Sequence, residues 1–317
     1  MYYIGIDLGG TNIAAGVVDE TFHIVKKGSV PTGAHRTADD IVADMGKLVL
    51  DLLKETGLEI SDLAHIGIAS PGTVDHDHGV VVYANNLPFS DYPIADKLRE
   101  IVPVKKILTE NDANAAAKGE AVAGCAKGYR SSVMITLGTG VGGGIIIDGK
   151  VYSGFNYAGA ELGHMVIEKD GVPCSCGRAG CWESYSSATA LIRMTKEQMR
   201  QCPDSAMWAA CDGDIDRVSG KTAFAVARTG DAAAQAVVDR YNSYLACGLS
   251  NIINIFQPEV LSIGGGVSNE SEENLLNPVK RLIAAERYTK QRGRQTIICT
   301  ATLKNDAGIV GAAALGL

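Results

Sequence analysis

One local pattern occurs twice in this chain, and it constrains the fold more than any other feature. An apolar run at residues 2–8 predicts a buried strand, a Gly-Gly-Thr turn follows at residues 9–11, and residues 13–18 predict a second strand. About 130 residues later the same order returns, with a predicted strand at 132–137, a glycine-rich turn, and a predicted strand at 144–147. The sequence therefore predicts an internal duplication, in which each half opens on two strands joined by a glycine-rich turn.

The segments around these two units alternate between strand and helix patterns, which indicates an α/β protein. The further predicted strands are 22–30, 64–69, 80–82, 104–109, 260–263 and 296–300, and the predicted helices are 38–56, 91–101, 111–126, 184–201, 221–229, 231–256, 273–287 and 306–316. No tract of linker composition interrupts the chain, so we place the domain boundary near Gly119. We expect a smaller N-terminal α/β domain over 1–118 and a larger α/β domain over 119–302, with a C-terminal helix at about 303–317 that packs on the smaller one.

Charge and hydropathy exclude several classes of protein. The 317 residues include 29 Lys and Arg against 36 Asp and Glu, a net charge of −7, and this mild acidity argues against nucleic-acid binding. No segment approaches the roughly 18 uncharged apolar residues of a membrane helix. The first apolar run contains Asp7 and follows no basic segment, so it does not have the pattern of a signal peptide. We therefore expect a cytoplasmic protein that binds neither nucleic acid nor a membrane.

The two glycine-rich turns predict phosphate binding. Gly9 and Gly10 allow backbone N–H groups to approach a phosphate closely, Thr11 adds a hydroxyl donor, and Asp7 can hold Mg²⁺. The turn at 138–140 repeats this arrangement, so we expect two phosphate clamps that face each other. Each turn alone is also compatible with an ordinary hairpin.

Two familiar nucleotide-binding motifs do not fit this chain. Residues 138–143 spell G-x-G-x-x-G, but a dinucleotide fingerprint opens a helix, and here a strand follows. The Gly-Lys-Thr at 220–222 has Ile215 in place of the first glycine of a P-loop. A third glycine run follows a predicted strand and either packs under an adenine or ribose or forms a plain turn: Gly264, Gly265 and Gly266.

A cluster of metal-ligand residues lies in the second half. Cys174, Cys176 and Cys181 fall within eight residues, and His164 precedes them. An unsecreted chain keeps its thiols reduced, so three such cysteines and one histidine predict a closed structural Zn²⁺ site rather than disulfides. Full ligation leaves no position for a catalytic water. The alternative, core thiols beside a histidine that has other partners, fits this spacing poorly.

Carboxylates flank both predicted sites. Glu110-Asn111-Asp112 lies where a predicted strand meets a predicted helix; these acids either cap the helix or include a general base for a hydroxyl that accepts a phosphoryl group. Glu161 and Glu183 flank the cysteine cluster. A carboxylate accepts two hydroxyl hydrogen bonds, which suits a vicinal diol, and zinc would hold both acids in place. The other histidines, including His65, His76 and His78, are expected on the surface or in loops.

At this point the sequence resembles the ROK family of sugar kinases and sugar-responsive repressors, over essentially its whole length. The most specific part is Glu161-x-x-His164 followed by Cys174-x-Cys176-Gly177-x-x-Gly180-Cys181-x-Glu183. The other glycine and acid motifs occur in family order. The resemblance implies a duplicated actin-like, ribonuclease-H-like ATPase fold of two domains, with ATP in the interdomain cleft and a hexose beside the zinc loop. It also implies that Asp112 is the catalytic base.

The resemblance further implies the binding residues. Those expected to contact the sugar are Gly72, Asn86, Asn111, Asp112, Glu161, His164 and Glu183. Those expected to bind ATP and its Mg²⁺ are Asp7, Gly9, Gly10, Thr11, Asn12, Thr139, Gly140, Gly264, Gly265 and Gly266. Asn12 stands where lysine is common in the family.

Within the family the chain is most similar to bacterial glucokinases, which implies ATP-dependent phosphorylation of glucose at its 6-hydroxyl by a homodimer or a homotetramer. The alternatives are a kinase for N-acetylmannosamine or N-acetylglucosamine, a sugar-sensing repressor and a non-catalytic sugar binder. Repressors of this family carry an N-terminal helix-turn-helix domain, whereas the first strand here is predicted from residue 2. Asp112 and the two glycine-rich turns argue against a pure binder.

Overall fold

The computed structural model describes residues 1–288 and 293–317. The strands are β1 Tyr2–Leu8, β2 Asn12–Asp19, β3 Ile24–Pro31, β4 Leu63–Ser70, β5 Thr73–Asp75, β6 Val80–Tyr83, β7 Ser90–Tyr92, β8 Ile107–Asn111, β9 Ser132–Leu137, β10 Val141–Ile147, β11 Lys150–Val151, β12 Val260–Gly264 and β13 Ile297–Thr300. The helices are α1 Ala38–Thr56, α2 Ile94–Ile101, α3 Asp112–Ala123, α4 Glu183–Ser186, α5 Ala188–Gln201, α6 Thr222–Ala227, α7 Ala232–Phe256, α8 Leu276–Glu286 and α9 Ala307–Ala313.

Two sheets carry the predicted duplication. One has the order β3-β2-β1-β4-β8 and the other the order β11-β10-β9-β12-β13. The first strand of each repeat, β1 or β9, is therefore the central strand of its sheet. In the first sheet β1 pairs antiparallel with β2 and parallel with β4, and β4 pairs parallel with β8. The matching strand orders confirm the prediction of an internal duplication of α/β class. A small third sheet has the order β5-β6-β7.

Local sequence explains the long helix α1. The side chain of Thr37 caps its start by accepting from the Asp40 N–H, and Gly57 ends it in the left-handed conformation at φ 69°. Its buried stripe, which includes Met45, Val49 and Leu52, packs into the core of the first sheet. The spacing of its apolar residues predicted this helix over 38–56, and the observed range is the same.

The C-terminal helix α9 packs on β1, β4 and α3, and glycines make this close contact possible. A Cβ placed on Gly5 of β1 would lie 1.9 Å from the Ile309 carbonyl oxygen, and one on Gly67 of β4 would lie 1.8 Å from that of Ala312. A Cβ on Gly311 would lie 1.7 Å from the Ala115 carbonyl oxygen in α3. The backbones meet where larger residues would hold them apart.

Three local predictions were wrong. The predicted helix 184–201 is two helices, because the side chain of Ser187 accepts from the Ala190 N–H and caps a new start. The predicted helix 91–101 begins only at Ile94, after a short strand and Pro93. His65 is 5 % exposed rather than on the surface, because α9 covers it and the Ala313 carbonyl oxygen lies 2.8 Å from its Nε2.

The chain divides into two compact units. The first contains residues 1–134, 144–160 and 301–317, and the second contains residues 135–143 and 161–300. The domain boundary expected near Gly119 stays a prediction. In the described part of the chain, no helix combines the length and the apolar character that crossing a membrane requires.

Candidate functional site

The first glycine-rich turn joins β1 to β2 and leaves its backbone accessible. The Gly9 N–H donates to the Asn12 carbonyl at 3.0 Å, and the hydroxyl of Thr32 donates to the Gly9 carbonyl at 2.6 Å. Gly10, Thr11 and Asn12 are exposed. A Cβ on Gly10 would meet nothing within 4 Å, so a ligand can approach the backbone there. Hydrogen bonds at Gly9 thus fix the turn, while the backbone at Gly10 stays accessible, as phosphate binding by backbone N–H groups requires.

The junction of β8 and α3 places Asn111 and Asp112 at a helix start. Asn111 is the N-cap residue: its side-chain oxygen accepts from the N–H groups of Ala113 and Asn114 at 2.9 and 3.2 Å. Its amide donates to the Gly72 carbonyl at 3.0 Å. Asp112 is the first helical residue, and its carboxylate accepts from the Ala113 N–H at 2.8 Å. The cap therefore fixes both side chains at the end of a buried strand.

Asp7 and Asp112 are electrostatically coupled. Two effects raise the pKa of Asp7 to about 6: the larger is its burial away from solvent, and the smaller is the nearby negative charge of Asp112. Removal from solvent also raises the pKa of Asp112, although the Ala113 and Asp112 N–H groups and the Asn111 side chain oppose the shift. Two half-buried acids whose charges disfavour each other suit a bound cation, so this donor set fits Mg²⁺.

The loop after β4 brings Gly72 against a second loop. Gly72 has φ 91°, and a Cβ there would lie 2.0 Å from the Tyr83 carbonyl oxygen, so only glycine fits. Asn86 is exposed, three residues after Tyr83, with its side-chain oxygen 3.5 Å from the Asn85 amide. The structure thus links Gly72 to Asn111 directly, and no described contact joins Asn86 to either residue.

The sequence prediction missed one contact near Asp112, between His76 and Glu110, which lies two residues before Asp112. His76, between β5 and β6, has its Nδ1 3.4 Å from the buried carboxylate of Glu110. Its ring also packs edge-on against Tyr157 at a centroid distance of 4.7 Å. His76 was expected on the surface or in a loop, and a contact with a strand some 30 residues away leaves no local signal.

The second glycine-rich turn lies against Glu183 and the third glycine run. The Val141 N–H donates to Glu183 Oε2 at 2.9 Å, and a Cβ on Gly140 would lie 2.3 Å from that same oxygen. A Cβ on Gly265, where φ is 83°, would lie 2.5 Å from the Leu137 carbonyl oxygen. Thr139, Gly265 and Gly266 are exposed, while Gly264 is buried at the end of β12. Within the second unit, three predicted segments therefore meet.

The four predicted zinc ligands also come together in the second unit. Their ligand atoms all lie within 4.8 Å of one another. Cys174 Sγ lies 3.6 Å from His164 Nδ1, and Cys176 Sγ lies 3.6 Å from Cys181 Sγ, too far for a disulfide. Zinc bonds of usual length place tetrahedral ligands about 3.6 Å apart for a sulfur and a nitrogen and about 3.8 Å apart for two sulfurs. The residues fit a structural zinc ion.

The acid–base state of the cluster also suits a metal. Hydrogen bonding by the Arg178 N–H lowers the pKa of Cys176, which favours its thiolate. Burial raises the pKa of Cys181 to about 12. A metal ion would offset that cost by binding the deprotonated sulfur. Glu183 Oε1 lies 3.9 Å from Cys174 Sγ, whereas Glu161 is exposed and accepts the His164 N–H on its backbone carbonyl at 3.0 Å.

Comparison with known proteins identifies the family of this chain. The family model described as ROK family matches residues 3–317. A glucokinase from Thermotoga maritima is 36 % identical over 316 residues, which are 98 % of this chain and 96 % of that protein. An N-acetyl-D-glucosamine kinase from Salmonella paratyphi B is 33 % identical over 283 residues, 85 % of each.

A solved structure extends the likeness to the fold. The ROK family glucokinase from Streptomyces griseus, in complex with glucose and AMPPNP, is 36 % identical, covers 99 % of both chains and superposes with a TM-score of 0.82. The predicted duplicated ATPase architecture is thus confirmed. This chain belongs to the ROK family.

Proposed function

We propose that this chain is an ATP-dependent glucokinase that transfers the γ-phosphoryl group of ATP to the 6-hydroxyl of glucose. The observation that carries the proposal is the half-buried Asp112 carboxylate at the start of α3, fixed beside Asn111 and electrostatically coupled to Asp7. The similarity over nearly the whole chain to glucokinases, one of them bound to glucose and AMPPNP, supports the choice of substrates.

Asp112 acts as the general base. It accepts the proton of the sugar hydroxyl while that oxygen bonds to the γ-phosphorus and the bond from phosphorus to the leaving oxygen of ADP breaks. A carboxylate with a raised pKa is a stronger base than an exposed aspartate, and the hydrogen bond from the Ala113 N–H keeps it oriented. Asn111, held to Gly72, gives the acceptor sugar a fixed amide neighbour.

The phosphates are held by backbone groups and a metal ion. When bound, ATP supplies the phosphoryl group and Mg²⁺ neutralises charge on its oxygens. Asp7 helps to hold that ion, and the open backbone around Gly10, Thr11 and Asn12 donates to phosphate. Thr139 and Gly140 form the second phosphate loop. Gly264, Gly265 and Gly266 contact the nucleoside.

Sugar specificity comes from the segment around the zinc site. Glu161, His164 and Glu183 bind hydroxyls of the hexose, and Gly72 and Asn86 add contacts. His164 Nδ1 faces the sulfur of Cys174, which leaves Nε2 to donate to the sugar. A zinc ion would be bound by His164, Cys174, Cys176 and Cys181. It would take no part in the chemistry and would hold Glu161 and Glu183 in position.

The second candidate is phosphorylation of an N-acetylated amino sugar. The observation in its favour is the 33 % identity to an N-acetyl-D-glucosamine kinase. An acetyl group or an epimer is distinguished by the shape of the loops around the sugar, and the catalytic residues would be the same. The family resemblance further supports a homodimer or homotetramer working in cytoplasmic carbohydrate metabolism; light scattering on the purified protein measures the oligomeric state.

The experiment is ADP release by the purified protein with Mg-ATP and glucose, N-acetylglucosamine, N-acetylmannosamine, mannose or fructose. Strong release with glucose alone supports a glucokinase. Release only with an amino sugar keeps the mechanism and replaces the substrate. No release with any sugar, from folded protein loaded with zinc, overturns the proposal.

A further inference from the structure

Glu110 ties the end of β8 to the first turn of α3, the segment that carries Asp112. Its side chain is 6 % exposed. Its Oε1 accepts from the Asn111 N–H at 2.9 Å and from the Asn114 side-chain amide at 3.1 Å. These two bonds span the position of Asp112 along the chain, so the charge and orientation of Glu110 bear on the geometry of that residue.

The second oxygen of this carboxylate faces His76. Oε2 lies 3.4 Å from His76 Nδ1, an ion-pair distance whose geometry falls outside that of a hydrogen bond. Buried carboxylates usually have a charged partner or several donors, because isolation from water is costly for an ion. Among the described residues, His76 is the only ion-pair partner of Glu110.

The imidazole is held from other sides as well. Tyr157 packs edge-on against the ring at 4.7 Å and donates its hydroxyl to Asp77 at 2.6 Å. The Nε2 of His76 lies 3.6 Å from an oxygen of Asp77. Asp75 is a further acid near the ring. Among the described residues, the charged groups found beside the ring are carboxylates, and these, led by the contact with Glu110, raise the pKa of His76.

We propose that His76 is a positioning residue for the phosphoryl-accepting site: its ring holds the Glu110 carboxylate in place, and Glu110 fixes the Asn111 backbone and the first turn of α3, on which Asp112 lies. The inference rests on the proposed function for its link to catalysis. The electrostatic pairing of His76 and Glu110 stands independently of that function.

The first test is the histidine titration by NMR, which needs no turnover. The chain has six histidines, and loss of one signal in H76Q assigns His76. In the wild type His76 should titrate above the ordinary value of about 6.5, and in E110Q it should fall toward that value. Unchanged titration in E110Q would overturn the pairing.

The second test is kinetic. H76Q should lower kcat about 10-fold, less than the roughly 100-fold cost of a 1 Å misplacement because Glu110 keeps its two other hydrogen bonds, with little change in KM for the sugar. H76R keeps a cation at every pH and should restore most of kcat. The control is H78Q: His78 is 75 % exposed and pairs with Asp75 on the same hairpin. Wild-type kcat in H76Q at every pH would overturn the positioning role.

The pH profile separates a charge effect from simple loss of packing. The raised pKa means that the imidazolium is present below it and is lost as pH rises through it, so the wild type should show an alkaline fall in kcat. H76Q and H76R should both lack this alkaline fall in kcat. If the wild type phosphorylates no sugar, the proposed function fails while the NMR result still decides the pairing. If H76Q does not fold, E110Q and H76R carry the test.

Discussion

The backbone N–H of Val141 donates to Glu183 Oε2 at 2.9 Å, and the other oxygen of Glu183 lies 3.9 Å from Cys174 Sγ. One carboxylate therefore joins a glycine-rich turn to a metal-ligand cluster. Glu183 stands at the start of α4, directly after Trp182, whose fully buried indole donates to the Tyr244 carbonyl at 3.0 Å. Because the buried Trp182 fixes the backbone next to Glu183, the carboxylate has little freedom to adjust to a change in the glycine-rich turn.

Gly140 leaves the space that this carboxylate occupies. In G140A the new Cβ would lie 2.3 Å from Glu183 Oε2, so the acid must move and its bond to Val141 must break. We expect KM for the sugar to rise and kcat/KM to fall about 10- to 100-fold, because a misplaced group that orients substrate has this cost. G220A is the control, since a Cβ there would lie at an ordinary contact distance of 3.9 Å from the Ala188 Cβ and Gly220 is not among the predicted binding residues. Equal kinetics for the two variants would contradict the argument.

The contrast between predicted and observed features follows from the range of the interactions. The duplication, α1 and the His164–Cys181 cluster are encoded by short patterns, and they were predicted correctly. The burial of His65 under α9 and the contact of His76 with Glu110 were not predicted, because each joins segments far apart in sequence. The break at Ser187 was missed for a different reason: serine caps one helix start while the residues on both sides favour a helix.

The metal cluster predicts a dependence of stability on zinc. We expect about one zinc ion per chain by elemental analysis, and a lower Tm and zinc content in C176S, because the remaining three ligands cannot close the tetrahedron. C202S is the matched control, since Cys202 lies outside the cluster and accepts from Gln198 at 3.4 Å. A zinc-free wild type with the same Tm before and after treatment with a chelator would exclude a structural metal.

Asp112 predicts a separation of binding from turnover. D112N keeps the size of the side chain and an acceptor oxygen for the Ala113 N–H, but it removes the base. We expect kcat to fall about 10²- to 10⁴-fold, the range for loss of a general base, with sugar affinity by calorimetry nearly unchanged. Turnover close to that of the wild type would remove Asp112 from the role of base.

His65 predicts a pH dependence of stability at the contact with α9. Burial lowers the pKa of His65, which is 5 % exposed with Nε2 2.8 Å from the Ala313 carbonyl oxygen. The unfolded state then takes up the proton more readily, so the stability contributed by neutral His65 is present above the unfolded pKa of about 6.5 and is lost as pH falls toward the folded pKa. Urea unfolding at pH 7.5 and 5.5 should show a smaller pH effect in H65Q than in the wild type. An equal effect in both would assign the acid sensitivity to other groups.

Substitution by alanine at two glycines of α9 should have different effects: at Gly308 it should lower activity, and at Gly311 it should lower stability. A Cβ on Gly308 would lie 2.4 Å from Asp7 Oδ2, whereas one on Gly311 would lie 1.7 Å from the backbone oxygen of Ala115. A side-chain carboxylate can rotate away, so G308A should keep nearly the wild-type Tm while kcat/KM for Mg-ATP falls, because Asp7 no longer points as the bound metal requires.

A backbone oxygen inside a packed helix pair has no such freedom. G311A should therefore be destabilised by about 1–3 kcal/mol, the cost of an overpacked contact, and should retain the kcat of the wild type while it stays folded. Thermal unfolding and initial rates, measured on both variants, test whether activity and stability are lost separately. A loss of Tm in G308A equal to that in G311A would mean that α9 itself has shifted, and the placement of Asp7 would then depend on the whole helix rather than on one missing side chain.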